Sequence, residues 1–361
     1  MPEPLKNLYN GELIAVLCEQ VSHEYKDFDS DGFTQYVFDN QWELKELKER
    51  MAHISEALYT FLPSDYRSKL AVLKAISPKF SGFEYMFFPG FVELYGLDDY
   101  EPSIAALAHF TEHSSSEFAV RPFIVKYPKE MMAQMELWAD SSNHHVRRLA
   151  SEGCRPRLPW AMALPLFKKD SSAVVPILEK LKNDESEYVR RSVANNLNDI
   201  AKDSPDVVIH LAQQWIGDSK ETDWLVKHGC RTLLKQGQPD IMSLFGFENP
   251  KHIEINNFKV PESVNVGEKI TFSFTLQSLN KKLGRLRVEY AINHLKKNGS
   301  HTRKVFKLSE SENNAKRKEI SKSHSFKKIS TRVYYAGIHG VAIIINGHEV
   351  AYHEFQLKEG R

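Results

Sequence analysis

Residues 143–150 have the sequence Asn-His-His-Val-Arg-Arg-Leu-Ala, and a shorter form of this pattern occurs four times in the first two thirds of the chain. In each copy a polar residue stands three positions before a valine, and a basic residue follows that valine directly. The polar residue can cap a helix and the valine then faces the core, so each copy predicts a helix. The copies are Glu117–Val120–Arg121, Asn143–Val146–Arg147, Ser186–Val189–Arg190 and Asp223–Val226–Lys227, with valine-to-valine spacings of 26, 43 and 37 residues.

The rest of residues 1–236 is also predicted to be helical. Apolar residues recur every three or four positions over 42–58, which predicts one amphipathic helix, and later helices are short because prolines interrupt them. Helix pairs with a period of about 40 residues are typical of HEAT repeats, which stack into a superhelix with one concave surface. Since every copy places a cation at the same point, we expect a row of positive charge on that surface. A solvated charged face without a ligand is the alternative interpretation.

The periodicity changes in the last third of the chain. Residues 237–252 contain two glycines and two prolines and are predicted to form a linker. Over 253–361, polar and apolar residues alternate in several short segments, and Asn346-Gly347 is a strong hairpin signal, which together predict a small antiparallel sandwich. Tyr334-Tyr335 is similar to the tyrosine corner of immunoglobulin-like domains, although their cysteine pair is missing. The predicted fold class is mainly α with a β domain: an α-α superhelical HEAT-like repeat solenoid followed by an immunoglobulin-like β-sandwich.

The charge of the chain divides between these two predicted domains. The 361 residues have a net charge of +1, but residues 251–361 hold 21 basic and 10 acidic residues, whereas the first 250 hold 27 and 37. A basic sandwich beside an acidic helical domain indicates an anionic partner, commonly nucleic acid. A sandwich that is merely soluble and rich in lysine is the alternative.

Several classes of protein are disfavoured by the sequence. Three cysteines far apart provide neither a disulfide framework nor a cysteine zinc ribbon, and they fit a reducing compartment. No apolar segment approaches the ~20 residues that span a bilayer, and the first residues lack the pattern of a signal peptide. None of the fifteen histidines has HExxH spacing, and no Gly-rich phosphate loop or GxSxG motif occurs. We therefore expect no metal, no nucleotide cofactor and no membrane association.

The densest group of candidate functional residues lies near the middle of the chain. A predicted helix containing Arg147 and Arg148 is followed by a loop that holds Arg155 and Arg157 between prolines. Proline restricts the backbone and would keep the cations of this loop in place. Trp160 follows this polar, basic loop rather than an apolar helix face, which favours an exposed indole over a core one.

Three segments of the chain resemble one family of DNA repair proteins. They are 116–123 (Ser-Glu-Phe-Ala-Val-Arg-Pro-Phe), 147–153 (Arg-Arg-Leu-Ala-Ser-Glu-Gly) and 155–160 (Arg-Pro-Arg-Leu-Pro-Trp). These segments look like the AlkC branch of the HEAT-like repeat DNA alkylpurine glycosylases, the AlkC/AlkD superfamily. The resemblance covers the whole chain, because one form of AlkC has an added C-terminal immunoglobulin-like domain.

The resemblance implies a DNA glycosylase of base excision repair. Such an enzyme hydrolyses the N-glycosidic bond of cationic alkylated bases, 3-methyladenine and 3-methylcytosine, in double-stranded DNA without fully flipping the nucleotide. It also implies that Glu117 and Asp199 are the matching catalytic acids, with Glu152 and Trp160 in the same site. The basic residues expected to bind DNA are Arg121, Arg147, Arg148, Arg155, Arg157, Arg190, Arg191, Lys227 and Arg231. We expect residues 1–236 to be catalytic, 253–361 to contact DNA, and the protein to be a cofactor-free monomer of the bacterial cytoplasm.

The chemistry of these residues fits that activity. An N-alkylated base is cationic and departs neutral, so it needs no general acid, and a carboxylate beside C1′ stabilises the oxocarbenium-like sugar and can orient water. An indole adds a cation–π attraction of ~0.5–2 kcal/mol. The alternative is a non-enzymatic HEAT-repeat scaffold that binds DNA or a protein partner. Acids embedded in a basic row disfavour the scaffold, because they would repel phosphate.

Overall fold

The computed structural model describes residues 3–329 and 332–360, which divide into two compact units. Within these residues sixteen α-helices precede eight β-strands, which confirms the predicted fold class. The helices are α1 (Gly11–Glu24), α2 (Ser30–Val37), α3 (Leu47–Phe61), α4 (Tyr66–Ile76), α5 (Phe87–Tyr95), α6 (Tyr100–Thr111), α7 (Val120–Lys126), α8 (Pro128–Ala139), α9 (His144–Gly153), α10 (Pro165–Lys169), α11 (Val175–Leu181), α12 (Glu187–Ile200), α13 (Pro205–Trp215), α14 (Lys220–Gly229), α15 (Arg231–Gln236) and α16 (Pro239–Leu244). Short 3₁₀ helices cover Leu5–Leu8, Trp42–Leu44, Ser77–Lys79 and Phe83–Met86. No helix among the described residues is long and apolar enough to span a bilayer.

The repeated valines form part of the helical core as predicted. Val120, Val146, Val189 and Val226 are all buried. The capping prediction holds for one copy, because Asn143 Oδ1 accepts from the His145 amide at 2.8 Å. In a second copy Ser186 is the N-cap residue of α12, but its side chain makes no capping hydrogen bond. In the other two copies the prediction is wrong, because Glu117 lies in the turn before α7 and Asp223 lies inside α14.

The amphipathic segment 42–58 is interrupted instead of forming one helix. The 3₁₀ helix Trp42–Leu44 ends before α3, which begins at Leu47. A capping box sets this start, since Glu46 accepts from the N3 amide and the Glu49 side chain accepts from the Glu46 amide. Trp42 is buried and its ring centroid lies 6.1 Å from that of His53 on α3, whereas Leu44 is 74% exposed, so only part of the apolar pattern in this segment faces the core.

The last helices of the first unit stack in sequence order. Helix α9 packs against α8 and α12, and α12 packs against α14. Both α9 and α12 begin at copies of the repeat, so equivalent positions on the two helices face each other. This stacking brings together the polar residues near their C-terminal ends.

The second unit contains a sandwich of two sheets. Its strands are β1 (Ile253–Lys259), β2 (Ser263–Asn265), β3 (Lys269–Ser278), β4 (Gly284–Leu295), β5 (His301–Asn313), β6 (Arg317–Ser325), β7 (Gly337–Ile345) and β8 (His348–Lys358). One sheet has the order β1-β3-β6 and the other β2-β8-β7-β4-β5. All pairs are antiparallel except β2 with β8, which is parallel and departs from the purely antiparallel sandwich that we predicted.

Strand periodicity predicted the burial pattern of β3 better than that of β4. In β3, Ile270, Phe272, Phe274 and Leu276 are buried as the alternation requires. In β4 both faces are buried, and Arg287 and Glu289 pair at 2.6 Å within the protein instead of facing solvent. The predicted Asn346-Gly347 turn joins β7 to β8, with φ of 46° and 80° at its two residues.

Residues 237–252 are not a linker. This segment contains helix α16 and belongs to the second unit, which consists of Ile209–Gln214 and Cys230–Arg361. A Cβ added at Gly237 would lie 2.6 Å from the Gly347 carbonyl oxygen, and Asn346 Nδ2 donates to the Glu248 carbonyl at 2.8 Å. The segment is therefore packed on the last hairpin, which explains why glycine occupies both turns.

Three histidines lie inside the sandwich. His294, His324 and His339 are buried, and the His294 ring centroid lies 6.0 Å from that of His324 and 5.9 Å from that of His339. Burial and the nearby positive charge of Arg332 lower the pKa of His294 to about 3 and that of His324 to about 4. Burial also lowers the pKa of His339. These histidines are therefore neutral in the folded protein.

Acid should weaken the sandwich. Because the unfolded histidines protonate near pH 6.5 and the folded ones do not, stability is present above pH 6.5 and is lost as the pH falls towards 4. For each such histidine, the free energy of unfolding falls by up to about 1.4 kcal/mol for every pH unit of acidification in this range. Denaturant unfolding of the full chain between pH 7 and 4 measures this slope. His294→Phe should reduce the slope, the exposed His348→Phe should not, and equal slopes in both variants would contradict the explanation.

Candidate active site

Polar residues line the seam between α9 and α12. On α12, Ser192, Asn196 and Asp199 occupy one face at helical spacing, and all three are buried. Ser192 Oγ donates to Glu152 Oε2 at 2.6 Å, and Asn196 Nδ2 donates to the Ser151 carbonyl at 2.8 Å. The helices are thus joined by hydrogen bonds where apolar packing would be the default.

Acids and bases alternate through this seam. Arg148 Nη1 lies 2.5 Å from Glu117 Oε2, and its Nη2 lies 3.5 Å from Glu152 Oε1. Arg155 continues the series, with Nη1 at 2.5 Å from Glu152 Oε1 and Nε at 2.9 Å from Asp199 Oδ2. Lys202 Nζ completes it at 2.9 Å from Asp199 Oδ1. We call these six residues, Glu117, Arg148, Glu152, Arg155, Asp199 and Lys202, the ionic network.

Both arginines of the ionic network remain charged. Burial lowers the pKa of Arg148, but the carboxylates of Glu152 and Glu117 outweigh it and raise the pKa above its usual value. The same balance, between burial and the carboxylates of Glu152 and Asp199, raises the pKa of Arg155. The three acids therefore face fixed cations inside the protein, and the predicted role of Arg148 and Arg155 as direct DNA contacts conflicts with these buried pairings.

The three acids differ in their access to solvent. The side chain of Glu117 is 16% exposed, that of Glu152 6% and that of Asp199 2%. Arg148 and the Ser115 hydroxyl both bond Oε2 of Glu117, the hydroxyl at 3.1 Å. Both oxygens of Asp199 are occupied, by Arg155 and Lys202. Glu117 is accordingly the acid that an external ligand can reach most easily.

Arg121 holds the loop that follows α9. Its guanidinium donates to the carbonyls of Met162 at 2.7 Å, Gly153 at 2.8 Å and Arg155 at 2.9 Å. The side chain is completely buried, and burial lowers its pKa to about 10. Arg121 therefore cannot be the DNA contact that we expected, and instead it ties both ends of the loop to α7.

Trp160 lies at the tip of this loop with its indole in solvent. The residue is 62% exposed, which confirms the expected exposure and excludes a core role. Its φ is 64°, in the left-handed region that a bulky residue rarely adopts. Lys48 Nζ donates to the Trp160 carbonyl at 2.9 Å and helps to hold this conformation. An exposed aromatic in a strained, braced backbone is typical of a ligand-binding position.

The remaining predicted DNA-binding residues occupy varied environments. Arg147 is buried against Asp184 at 2.6 Å and does not contribute to a surface row. Arg190 donates to the Asp184 carbonyl at 2.7 Å and to the Glu185 carbonyl at 2.9 Å. Arg157 pairs with Asp203 and Arg191 with Glu187, and their side chains stay 37% and 62% exposed. Lys227 and Arg231 are partly buried. Because Arg121 and Arg147 are buried, the row of positive charge that we expected on the surface is interrupted.

Sequence reasoning missed several residues of the site. Ser192 and Asn196 bond the α9 residues directly, and the Tyr188 ring lies 4.9 Å from the Arg148 guanidinium carbon. Their signal was the polar spacing Ser192, Asn196, Asp199 on an otherwise apolar helix face. Among the described residues, no group of three His, Cys, Asp or Glu side chains has the arrangement of a metal site.

Comparison with known proteins shows the family of the chain. The DNA alkylation repair enzyme family matches residues 111–233, and the C-terminal Ig-like domain of uncharacterised protein YhaZ matches 254–359. The chain is 44% identical to YhaZ of Bacillus subtilis, over 98% of this chain and 99% of that protein. It also superposes with a TM-score of 0.94 and 38% identity on the alkylpurine DNA glycosylase AlkC of Pseudomonas fluorescens bound to DNA containing an abasic site analog, covering 99% and 100% of the chains. The chain belongs to the AlkC family. The AlkC resemblance and the two-domain form that the sequence predicted are thus confirmed, and the matched helical segment contains all three acids and Trp160.

Arg121→Met should destabilise the protein. Three buried carbonyls would lose their donor, and one unsatisfied buried group already costs about 1–3 kcal/mol. Thermal melting measures this loss, and the exposed Arg191→Met should change stability by less than about 0.5 kcal/mol. An unchanged melting temperature together with a reduced salt dependence of DNA binding would instead indicate that Arg121 contacts phosphate.

Trp160→Gly should leave the protein at least as stable as the wild type. Glycine adopts positive φ without penalty, so the substitution removes a backbone strain of about 1 kcal/mol. Thermal melting tests this against Trp138→Ala, where loss of a buried indole should cost about 3–5 kcal/mol. A comparable loss of stability for Trp160→Gly would show that the indole contributes to the core.

Proposed function

We propose that this protein is a DNA glycosylase that hydrolyses the N-glycosidic bond of cationic alkylated bases, 3-methyladenine and 3-methylcytosine, in double-stranded DNA. The observation that supports it best is the ionic network, in which Glu117 is the acid with the most exposed side chain. Membership of the AlkC family supports the same reaction class. We also propose that the nucleotide is not fully flipped during cleavage.

Glu117 is the residue proposed to face the sugar. As the N-glycosidic bond breaks, its electron pair goes to the cationic base, which leaves neutral, while positive charge develops at C1′. The Glu117 carboxylate stabilises that charge and orients a water molecule, which attacks C1′ and releases its proton to the carboxylate or to solvent. Because Arg148 and Ser115 bond one oxygen, the carboxylate is already oriented before DNA binds.

Glu152 and Asp199 are proposed to act mainly through the arginines. Glu152 contacts both Arg148 and Arg155, and Asp199 contacts Arg155 from the opposite side. Each acid thereby fixes the position of a cation, and through Arg148 the position of Glu117. Such preorganisation lets the site stabilise developing charge without rearranging during the reaction.

Trp160 is proposed to contact the damaged strand. A cationic base or an oxocarbenium-like sugar next to its exposed ring would gain ~0.5–2 kcal/mol from the cation–π attraction. Because Arg121 and Lys48 hold the backbone on either side, little ordering would be needed on binding.

We propose that phosphate is bound by exposed basic side chains outside the ionic network. Arg157 and Arg191 keep the exposure that such contacts need. In the sandwich, exposed lysines in the turns supply further candidates, namely Lys281, Lys282, Lys296, Lys297, Lys316, Lys327 and Lys328. We therefore propose that the sandwich also contacts DNA.

Glu117→Gln should slow excision by ~10²–10³-fold, the usual effect of losing one electrostatic catalytic group. DNA affinity should be unchanged or higher, because a negative charge is removed. The measurement is single-turnover release of 3-methyladenine and 3-methylcytosine from methylated duplex DNA, with binding to undamaged DNA as a parallel readout. The exposed Glu112→Gln is the matched control and should excise at the wild-type rate.

If Glu117→Gln excises at the wild-type rate, the Glu117 carboxylate has no role in catalysis. If the wild-type protein binds DNA but releases no alkylated base, the alternative of a non-enzymatic HEAT-repeat scaffold would replace the proposal.

A further inference from the structure

A cavity of about 140 Å³ is lined by Ser115 and Phe118, which flank Glu117 in the chain. It is bounded by α3, α5 and the turn before α7, and its walls are mostly apolar, with Met51, Met86, Leu94 and Phe118 among them. Binding pockets for drug-sized molecules measure about 300–1,000 Å³. This one is therefore suited to a single flat heterocycle and is too small for a nucleotide.

Two charged groups lie among these apolar walls. Glu93 is only partly exposed, and burial raises the pKa of its carboxyl despite the opposing charge of Lys48. The Lys48 ammonium lies 5.2 Å from the centre of the Phe118 ring. The cavity walls thus include an aromatic ring, a carboxyl group and an ammonium donor, which matches the ring and polar edge of a nucleobase.

The cavity is connected to the ionic network through shared residues. Ser115 lines the cavity, and its hydroxyl donates to Glu117 at 3.1 Å. Lys48 lines it from the other side and donates to the carbonyl of Trp160 at 2.9 Å. A group released next to Glu117 and Trp160 would therefore meet the cavity without crossing the protein core.

We infer that this cavity binds the excised neutral base after the N-glycosidic bond has broken. The inference rests on the proposed function, because the base must be released beside Glu117. It is compatible with cleavage of a base that is not fully flipped, since the cavity acts on the product and not on the intact nucleotide. Holding the base there separates it from the sugar while water attacks C1′.

The first test measures binding of free base without DNA. Titration calorimetry of the full chain with 3-methyladenine should show binding to the wild type. Ala52→Phe, which fills the cavity from α3, should weaken binding at least tenfold. Ala105→Phe places the same side chain at an exposed position on α6 and should bind as the wild type does.

A second variant tests the same inference in case Ala52→Phe does not fold. Glu93→Gln keeps the shape of the cavity and removes one charged hydrogen-bond partner, so binding should weaken about tenfold. Glu130→Gln, exposed on α8, is its control. Melting temperatures of all four variants establish that each is folded.

The excision assay then separates this inference from the proposed function. Free 3-methyladenine should inhibit multiple-turnover excision by the wild type, and the Ala52→Phe variant should lose this inhibition while its single-turnover rate stays within about twofold. Absence of base binding by the wild type, or equal binding by Ala52→Phe, would overturn the inference. Binding of the base by a protein that excises nothing would instead refute the proposed function alone.

Discussion

The candidate site depends on the mutual compensation of buried charges in the ionic network. A carboxylate or guanidinium removed from water costs several kcal/mol unless a partner replaces the lost hydration. Arg148 and Arg155 each contact two acids, so no member of the pair Glu152 and Asp199 is left alone inside the protein. Because the partners come from α9, α12 and the turn before α7, these elements must pack in one register for the charges to be compensated. The same packing register is therefore needed both to compensate the buried charges and to place the acids of the candidate site.

A second constraint acts on the loop after α9. Its carbonyls point inward and would be unsatisfied without Arg121, which donates to three of them. Because the loop is fixed at both ends, Trp160 keeps a left-handed backbone conformation that is unfavourable for a bulky residue, and its indole projects into solvent. One buried cation thus positions an exposed aromatic ring without touching it.

Sequence reasoning predicted the architecture and named the three acids that the structure brings together in the ionic network, but it misjudged the burial and pairing of the basic residues around them. Alternation and the Asn346-Gly347 turn predicted the sandwich, and the valine repeat predicted core positions, because both patterns arise from local burial. Arg121 and Arg147 were expected on a surface, yet they are buried, and the Arg148 side chain is only 15% exposed. Their partners Gly153, Asp184 and Glu117 lie 31 or more positions away in the chain, where local sequence gives no sign of them. Basic residues at helical spacing have the same pattern whether they face phosphate or a buried acid. The packing of α16 on the last hairpin could not be predicted from the sequence either, because the glycines of 237–252 resemble those of a linker.

Equal numbers of acids and bases in the ionic network also determine how far its field extends. Three carboxylates face two guanidinium groups and one ammonium, so their potentials largely cancel beyond contact distance. A cluster of uncompensated acids would repel the phosphates of any duplex over roughly a Debye length, about 8 Å at physiological salt. Under the proposed function, the compensated cluster would add little repulsion to undamaged DNA and would attract a cation only when the cation arrives at Glu117. For the glycosylase proposed above, movement along undamaged DNA and discrimination of a cationic base would then use the same surface, because phosphate repulsion and contact with Glu117 act over different distances.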